Sequence, residues 1–503
     1  MKVNDKRIYR KIKREIKKRQ DRSYKKSGKS GPVFSARDVH YELSDRLKAI
    51  HCGGIGAIHM LVKQVGLDRE IDRVLDILKQ YQPYHESDHI LNIAYNIIAG
   101  GTCLEDIEQL RSNPAYMNTL GAARIPDPTT AGDFLRRFTE ADVKRLMEII
   151  NRIRQRIWKV QSKAFRRCAR LYIDSTVVET GAVHKQGINM AYNGQWGYHP
   201  LIISLANTRE PLYIENRPGN AYSSRNGIKW IDKSIALVQA CFKEVWLTGD
   251  TAFYLTKGLD KWDDQGVRFV FGCKNFPGLE EMFEGVSGWK RLKRPAPYSV
   301  KTTSRRKRHN HKDRVIHKRN FKQQTQSREY VTEMEYTPTH CKRSYRMVAL
   351  KKIIKVTQGQ LELFDQQRYF FYITNDRNLS TAEVVYQSND RCDHENDIQQ
   401  LKNGVHALRM PASDLTSNWA YTVIASLAWT LKSWMGLVMP HKATGYDIIR
   451  MEFRRFLHTF INIPAQIIRE SRQIRIRIAN YMEQAPVFLS FVERCKCLKL
   501  PDG

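Results

Sequence analysis

Apolar positions between residues 45 and 165 recur at three- and four-residue intervals. AIHMLVKQVGLDREIDRVLDIL and HILNIAYNIIAGG carry that pattern, which predicts amphipathic helices. TEADVKRLMEIINRIRQRIW places Thr139 three residues ahead of Asp142, the spacing of a capping box, so a helix is expected to start at 140. IPDPTTAGDFLRRF reads as a turn that feeds another helix. At residue 168 the period changes. CARLYIDSTVVE alternates and is β-branched, YHPLIISLAN and PLYIENRPGN follow as short strands, and SSRNGIKWIDKSIALVQACF returns to a helical period. KEVWLTGD and GVRFVFGCKN predict two further strands, so residues 166–275 are expected to form an α/β layer with a mixed sheet. From 276 to 384 the helical period is lost. REYVTEMEY, SYRMVALKKIIKV and QRYFFYITN predict strands, and a span this long is a β-rich insertion rather than a loop. A helix at about 390–408 reopens the α/β layer over 385–440, and residues 441–503 are expected to be helical and basic.

Charge alters this picture at two places. The chain of 503 residues has a formal net charge of +32. Residues 1–30 hold fourteen Lys or Arg against three acids, and residues 301–322 hold ten against one. The first run marks residues 1–44 as a basic flexible arm, and the second lies inside the β-rich insertion. Two such runs on a chain whose remainder is also basic suit a polyanion, because each phosphate contact releases counterions. The alternative, a solvated tail that serves only solubility, fits one run better than two. Nine scattered Cys without paired spacings point to a reduced, cytoplasmic setting without a disulfide framework. His309, His311 and His317 sit in the second basic run without Cys partners, which disfavours a metal site there. YTVIASLAWTLKSWMGLVM, at 421–439, contains Lys432 and Ser433 and is expected to be a core helix, so no membrane role is expected.

Three carboxylates stand out against these elements. In LYIDSTV, Leu171 and Ile173 point to one side of the strand and Asp174 to the other, within an apolar run where an unpaired charge is costly. Asp250 ends VWLTGD at the carboxyl end of a strand, the edge where open α/β sheets bind ligands. Glu395 lies in RCDHENDIQQLK. At about 100° per residue, Arg391, Glu395 and Lys402 fall within roughly 40° of one another on the helix, beside an apolar stripe of Ile398, Leu401, Val405 and Leu408. If the three acids converge they repel, and a divalent cation relieves the repulsion; Mg²⁺ suits a few carboxylates, waters and substrate phosphate. Taken singly, each acid is better explained as a cap or a surface ion pair, and the Arg391–Glu395 spacing equally well as ordinary helix charge support.

IDSTVVE, GYHPLIISL, RPGNAYSS, GDTAFY and RCDHENDIQQLKN occur in this order over about 170–440, with PDPTTAGDFLRRF ahead of them. Together they resemble the DDE transposases of bacterial insertion sequences, of the group 1 type. The resemblance implies an RNase H-like mixed-sheet catalytic domain interrupted by a β-rich insertion, with a helical N-terminal DNA-binding or dimerisation domain and a helical C-terminal region. It also implies catalytic, metal-holding roles for Asp174, Asp250 and Glu395, with two Mg²⁺ ions (Mn²⁺ substituting) as cofactors. Arg391 and Lys402 fit the family's pattern of Arg, three residues, Glu, six residues, Lys, and imply phosphate contacts with DNA; the Tyr of that pattern falls on Ser388, with Tyr386 two residues away. Expected partners are double-stranded DNA, both the terminal inverted repeats and the target, and a second copy of the chain. The expected setting is the bacterial cytoplasm at the nucleoid. Two rivals share the fold: a DNA-binding protein without catalysis, and an RNase H-like nuclease acting on hybrids or junctions. Trp289 as a base-stacking ring, and Asp393 and Asn396 as supports for Glu395, are weaker candidates than their alternatives of a core or surface Trp and a solvated helix turn, while His199 fits a site role and a structural turn equally well.

Overall fold

The computed structural model describes residues 48–78, 83–293, 322–358, 361–390, 392–470, 473–478 and 484–501, together with residues 11, 14, 15, 17, 18, 21, 22 and 319. Most of the basic arm, most of the run at 301–322 with its three histidines, and Arg391 lie outside the described residues.

Strand β1 (Ala49–Ile50) precedes seven helices: α1 (Ile55–Val65), α2 (Leu67–Val74), α3 (Glu86–Ile98), α4 (Ile107–Arg111), α5 (Pro114–Leu120), α6 (Pro128–Arg136) and α7 (Glu140–Lys159). The α/β region begins with β2 (Cys168–Ser175), three short strands β3 (Val178–Glu179), β4 (Asn189–Met190) and β5 (Trp196–Tyr198), then β6 (Leu201–Leu205) and β7 (Glu210–Glu215). It continues through α8 (Gly227–Gln239), β8 (Glu244–Gly249), α9 (Thr256–Asp264), β9 (Val267–Cys273) and α10 (Pro277–Glu284). The insertion supplies β10 (Lys290–Arg291) and three long strands, β11 (Lys322–Tyr336), β12 (Tyr345–Gln358) and β13 (Leu361–Thr374). Then come α11 (Thr381–Asn389), α12 (Cys392–Asn403), α13 (Leu415–Val438), α14 (Lys442–Arg450), α15 (Phe453–Phe456), β14 (Ala465–Glu470), β15 (Gln473–Ile478) and α16 (Ala485–Lys496).

These elements form two compact units. The first takes in Met1–Arg166, Thr176–Ala221 and Asn396–Gly503; the second takes in Arg167–Ser175 and Tyr222–Glu395. The first unit is organised by α13, which is buried from Ser417 to Val438. A helix apolar on every side has to be surrounded, and α3, α6, α7, α14 and β7 surround it. No helix among the described residues is long and apolar enough to cross a membrane. Lys432 survives inside α13 because its ammonium donates to Ile449 O (2.8 Å) and Met451 O (2.7 Å) and lies 3.5 Å from the centre of the Trp429 ring. Burial holds its pKa well below the ordinary lysine value. Arg154 of α7 and Glu210 of β7 are 1% and 0% exposed, and their 2.8 Å ion pair joins helix to strand. Trp434 Nε1 donates to the same Glu210 oxygen (2.8 Å), and Arg154 Nη2 donates to Pro211 O (3.0 Å). The predicted cap of α7 is present: Asp142 N–H donates to Thr139 Oγ1, and Thr139 N–H to the Asp142 carboxylate.

In the second unit the strands lie in the order β10-β11-β12-β13-β9-β8-β2. The pairs β2–β8 and β8–β9 are parallel, and β13–β9 and the insertion strands are antiparallel, so the sheet is mixed as the sequence predicts. Val331, Val348, Leu350 and Tyr372 on one face of the insertion form a core with Trp246, Val270, and Val384 and Val385 of α11. The insertion therefore extends the sheet instead of standing as a separate barrel.

Helix α11 begins at Thr381, inside the span expected to lack helix, and two further regions differ from expectation. α10 is a helix inside a span expected to be helix-free; Pro277 occupies its first turn, where a missing N–H costs nothing. The C-terminal region is mostly helical, yet β14 and β15 form an antiparallel hairpin that also pairs with β1. Ile474, Ile476 and Ile478 alternate with Arg475 and Arg477, a two-residue period that suits a strand with one covered face.

Two outcomes follow from the first unit. Arg154→Met leaves the Glu210 carboxylate buried without its cation; urea unfolding followed by tryptophan fluorescence should show a loss of about 3–5 kcal/mol. His89 stacks on Phe134 with ring centroids 4.3 Å apart, and burial lowers its pKa from 6.5 to about 4. Between these values the unfolded chain binds the proton and the native chain does not, so His89 makes stability fall as pH drops from 6.5 towards 4. His89→Phe should flatten that slope, by about 1–3 kcal/mol across the window, in urea midpoints measured against pH.

Candidate active site at adjacent strand ends

The site begins with a register. In the parallel pair β2–β8 the last partners are Ile173 and Gly249. The next residue on each strand is an aspartate, Asp174 on one and Asp250 on the other. Neighbouring strands lie about 4.8 Å apart, so the two acids leave the sheet side by side at its carboxyl edge. Both are half-buried, and each is oriented by backbone. Ser175 N–H donates to Asp174 Oδ1 (2.7 Å). Asp250 caps the short turn Thr251–Phe253, whose Ala252 N–H donates to its Oδ1 (2.8 Å). The buried Phe253 side chain anchors that turn. Gly249 is required by close approach: a Cβ there would stand 3.0 Å from side-chain carbons of Ile173, Phe253 and Phe271.

Glu395 lies in the first turn of α12 and is exposed. The residue before it, His394, is fully buried, with its ring centroid 5.9 Å from that of Tyr172. Tyr172 precedes Asp174 by two positions on β2 and so projects to the same face. The first turn of α12 is therefore packed against the sheet face that carries Asp174. Among the described residues, no three or more His, Cys, Asp and Glu side chains gather closely enough to hold a metal ion. The structure brings Asp174 and Asp250 to neighbouring strand ends, and it brings the first turn of α12, which contains Glu395, against that sheet face without joining Glu395 to them in one ligand cluster.

Further along α12, within the first unit, Asp397 Oδ1 pairs with Arg209 Nε (2.7 Å), and Arg209 occupies a left-handed backbone position (φ 59°) in the turn between β6 and β7. Ile398, Leu401, Val405 and Leu408 are buried as the stripe predicts, although the helix itself stops at Asn403. Lys402 is half-buried and donates to Val177 O (2.9 Å), two residues beyond the end of β2; burial lowers its pKa. An ammonium has three donors, and Val177 O takes one of them. Sequence reasoning missed His394 and Asp397. His394 could have been found by extending the apolar stripe one turn back from Ile398, since it lies four residues ahead on the same face.

The weaker candidates take structural places. His199 is buried, with Nδ1 hydrogen-bonded to Ala221 O (2.8 Å) and its carbonyl accepting from Arg217 Nε (2.8 Å), so it ties a turn. Trp289 is half-buried, with Lys351 Nζ 4.4 Å from its ring centre. Tyr386 donates its hydroxyl to Lys293 O (2.7 Å), and Ser388 is buried. Asn396 is exposed.

Two hard, oxygen-donating carboxylates at neighbouring strand ends form a donor set suited to Mg²⁺ or Mn²⁺, and their mutual repulsion favours such an ion. Comparison with curated proteins gives no match. Among solved structures, the piggyBac transposase synaptic complex with hairpin DNA is similar over 82% of this chain and 84% of that chain, at 11% identity and a TM-score of 0.35, a likeness too distant to bear on the site. The sequence itself matches the model of the transposase DDE domain, group 1, over residues 50–500. With that pattern running through both units and both strand ends, the chain belongs to the group 1 DDE transposases.

Proposed function

We propose that this transposase binds the terminal inverted repeats of a bacterial insertion sequence, cuts the phosphodiester at each end, and joins the freed 3′ ends to target DNA. The observation that carries the proposal is the β2–β8 register, which sets Asp174 beside Asp250 at the ligand-binding edge of a parallel pair. Asp174, Asp250 and Glu395 are assigned as the carboxylates that hold two Mg²⁺ ions, with Mn²⁺ as a substitute. When bound, the metal supplies Lewis-acid activation of water or a 3′-hydroxyl and stabilises the leaving oxygen. The protein groups supply position. Backbone N–H groups hold the two aspartates in one orientation, and α12 carries Glu395 towards their face. Arg391 would fork onto a phosphate beside the cut, and Lys402 would add a point charge while keeping its bond to Val177 O. No covalent enzyme intermediate is required, so positioning and charge neutralisation carry the rate. Both ends have to be joined in one event, which calls for at least two copies of the chain.

Supercoiled plasmid carrying the element's ends, taken from the DNA flanking its gene, tests this with Mg²⁺ or Mn²⁺ present. Asp174→Asn and Asp250→Asn should each cut roughly 10²–10³-fold more slowly than wild type at unchanged DNA affinity. Equal cutting by the variants would leave a DNA-binding protein without this chemistry, and strong preference for branched or hybrid substrates would favour a different nuclease. Arg391→Ala should weaken binding to all DNA sequences alike and lower the slope of log affinity against log salt by about 1, read by titration at several ionic strengths.

A further inference from the structure

The β14–β15 hairpin of the first unit has one covered face and one open face. On the covered face Ala465 and Ile467 are buried. Ile476 packs so close to Gly56 of α1 that a Cβ there would stand 2.6 Å from its Cδ1, and a Cβ at Gly121, just past α5, would stand 3.7 Å from Ile474 Cδ1. Arg469 Nη1 adds a hydrogen bond to Asn118 Oδ1 of α5 (3.3 Å). Side chains alternate along a strand, so the register assigns the other face: Gln466 stands opposite Arg477 and Ile468 opposite Arg475, with Gln473 next along β15. Gln466, Gln473, Arg475 and Arg477 are exposed, and Ile468 is half-buried. Among the described residues, β1 pairs with β14 at Ala465 and Gln466, the base of the hairpin, so from Ile468 to Arg475 the sheet is a two-stranded ribbon.

The residue types on the open face select its partner. Over residues 465–478 four Arg stand against one acid, which suits a polyanion. The major groove of B-DNA is about 12 Å wide and admits a two-stranded ribbon. Planar, forked side chains read base edges there: Arg donates to O6 and N7 of guanine, Gln pairs with N6 and N7 of adenine, and an apolar side chain meets the thymine methyl. Phosphate contact alone needs only charge, which Lys supplies as well. Arg475 and Arg477 are two residues apart on one strand, about 6.8 Å, which matches two base steps of about 3.4 Å. Arginines on an edge strand also discourage edge-to-edge pairing, a role that lysine fills equally well, so replacing Arg by Lys separates the two roles.

We propose that the open face of the β14–β15 hairpin enters the major groove of the terminal-repeat DNA and reads its sequence, with Arg475 and Arg477 each contacting a guanine. The inference rests on the transposase function proposed above for the identity of the duplex. It adds the base-reading element that Arg391 and Lys402, as phosphate contacts, do not supply.

The test uses the full chain in the Asp250→Asn background, so that DNA is bound and not cut. A duplex carrying the element's terminal repeat and a scrambled duplex of the same composition are titrated at one salt concentration. Arg475→Lys and Arg477→Lys should each lower the preference for the repeat at least about fivefold, while affinity for the scrambled duplex stays within about twofold. Both positions are exposed, so neither variant disturbs the core. Guanine N7 methylation supplies a second readout. It should block the parent protein at two guanines about two base pairs apart, and each Lys variant should become indifferent to methylation at one of them. Preference and methylation pattern unchanged in both variants, or an equal loss of affinity for the two duplexes, would overturn the hairpin's role and leave the transposase function standing. A parent protein with no preference for the repeat would overturn both.

Discussion

The parallel pairing of β2 with β8 is the constraint on which the candidate site depends. A parallel ladder gives both strands one direction, so both carboxyl ends emerge at one edge. The register then decides which residues stand there, and here it sets Ile173 opposite Gly249 and the two aspartates next in line. A slip of one residue would turn one acid to the opposite face, because side chains alternate along a strand. The apolar runs that hold the register, Leu171 and Ile173 on β2 and Val245 and Leu247 on β8, are all buried. Packing, and not any bond between the acids, therefore keeps two like charges side by side.

Buried charge is paired in both units, whereas the aspartates of the candidate site are left half-exposed. In the first unit, Arg154 and Trp434 both donate to Oε1 of Glu210 where helix α7, strand β7 and helix α13 meet, and Lys432 is held by two carbonyls and an aromatic face. Such a network contributes little net stability against an apolar replacement, but it penalises every alternative packing that would separate its members. In the second unit Asp174 and Asp250 sit at the edge of the sheet, where backbone N–H groups orient them and solvent still reaches them. Helix α12 belongs to both arrangements along the chain: Glu395 ends one segment of the second unit and Asn396 begins one of the first. Asp397 and Lys402 anchor its later turns, which leaves its first turn to carry Glu395.

Much of the architecture was legible beforehand. The three- and four-residue periods of residues 45–165, the Thr139 cap, and the alternation at 168–175 and 322–374 are local signals, and local steric and hydrogen-bonding preferences are enough to interpret them. The hairpin at 465–478 was missed although its Ile-Arg alternation is plain, because a basic helical neighbourhood suggested continuity. Short α10 was missed because eight residues behind a proline leave little periodic signal. Lys402 illustrates a different gap. Its spacing from Glu395 places it on the right side of the helix, but nothing in that spacing reveals that Val177 O would take one of its donors.

The order of elements, the identity of the chemically capable residues and the basic character of the chain were determined by the amino-acid sequence alone, since each depends on side-chain type and near-neighbour spacing. Tertiary structure decided which of those residues became neighbours. Asp174 meets Asp250 through a strand pairing that spans 76 residues of chain, and His394 reaches Tyr172 across more than two hundred. Contacts of that range are selected by the burial of whole faces against one another, a property of the assembled fold that no local pattern encodes.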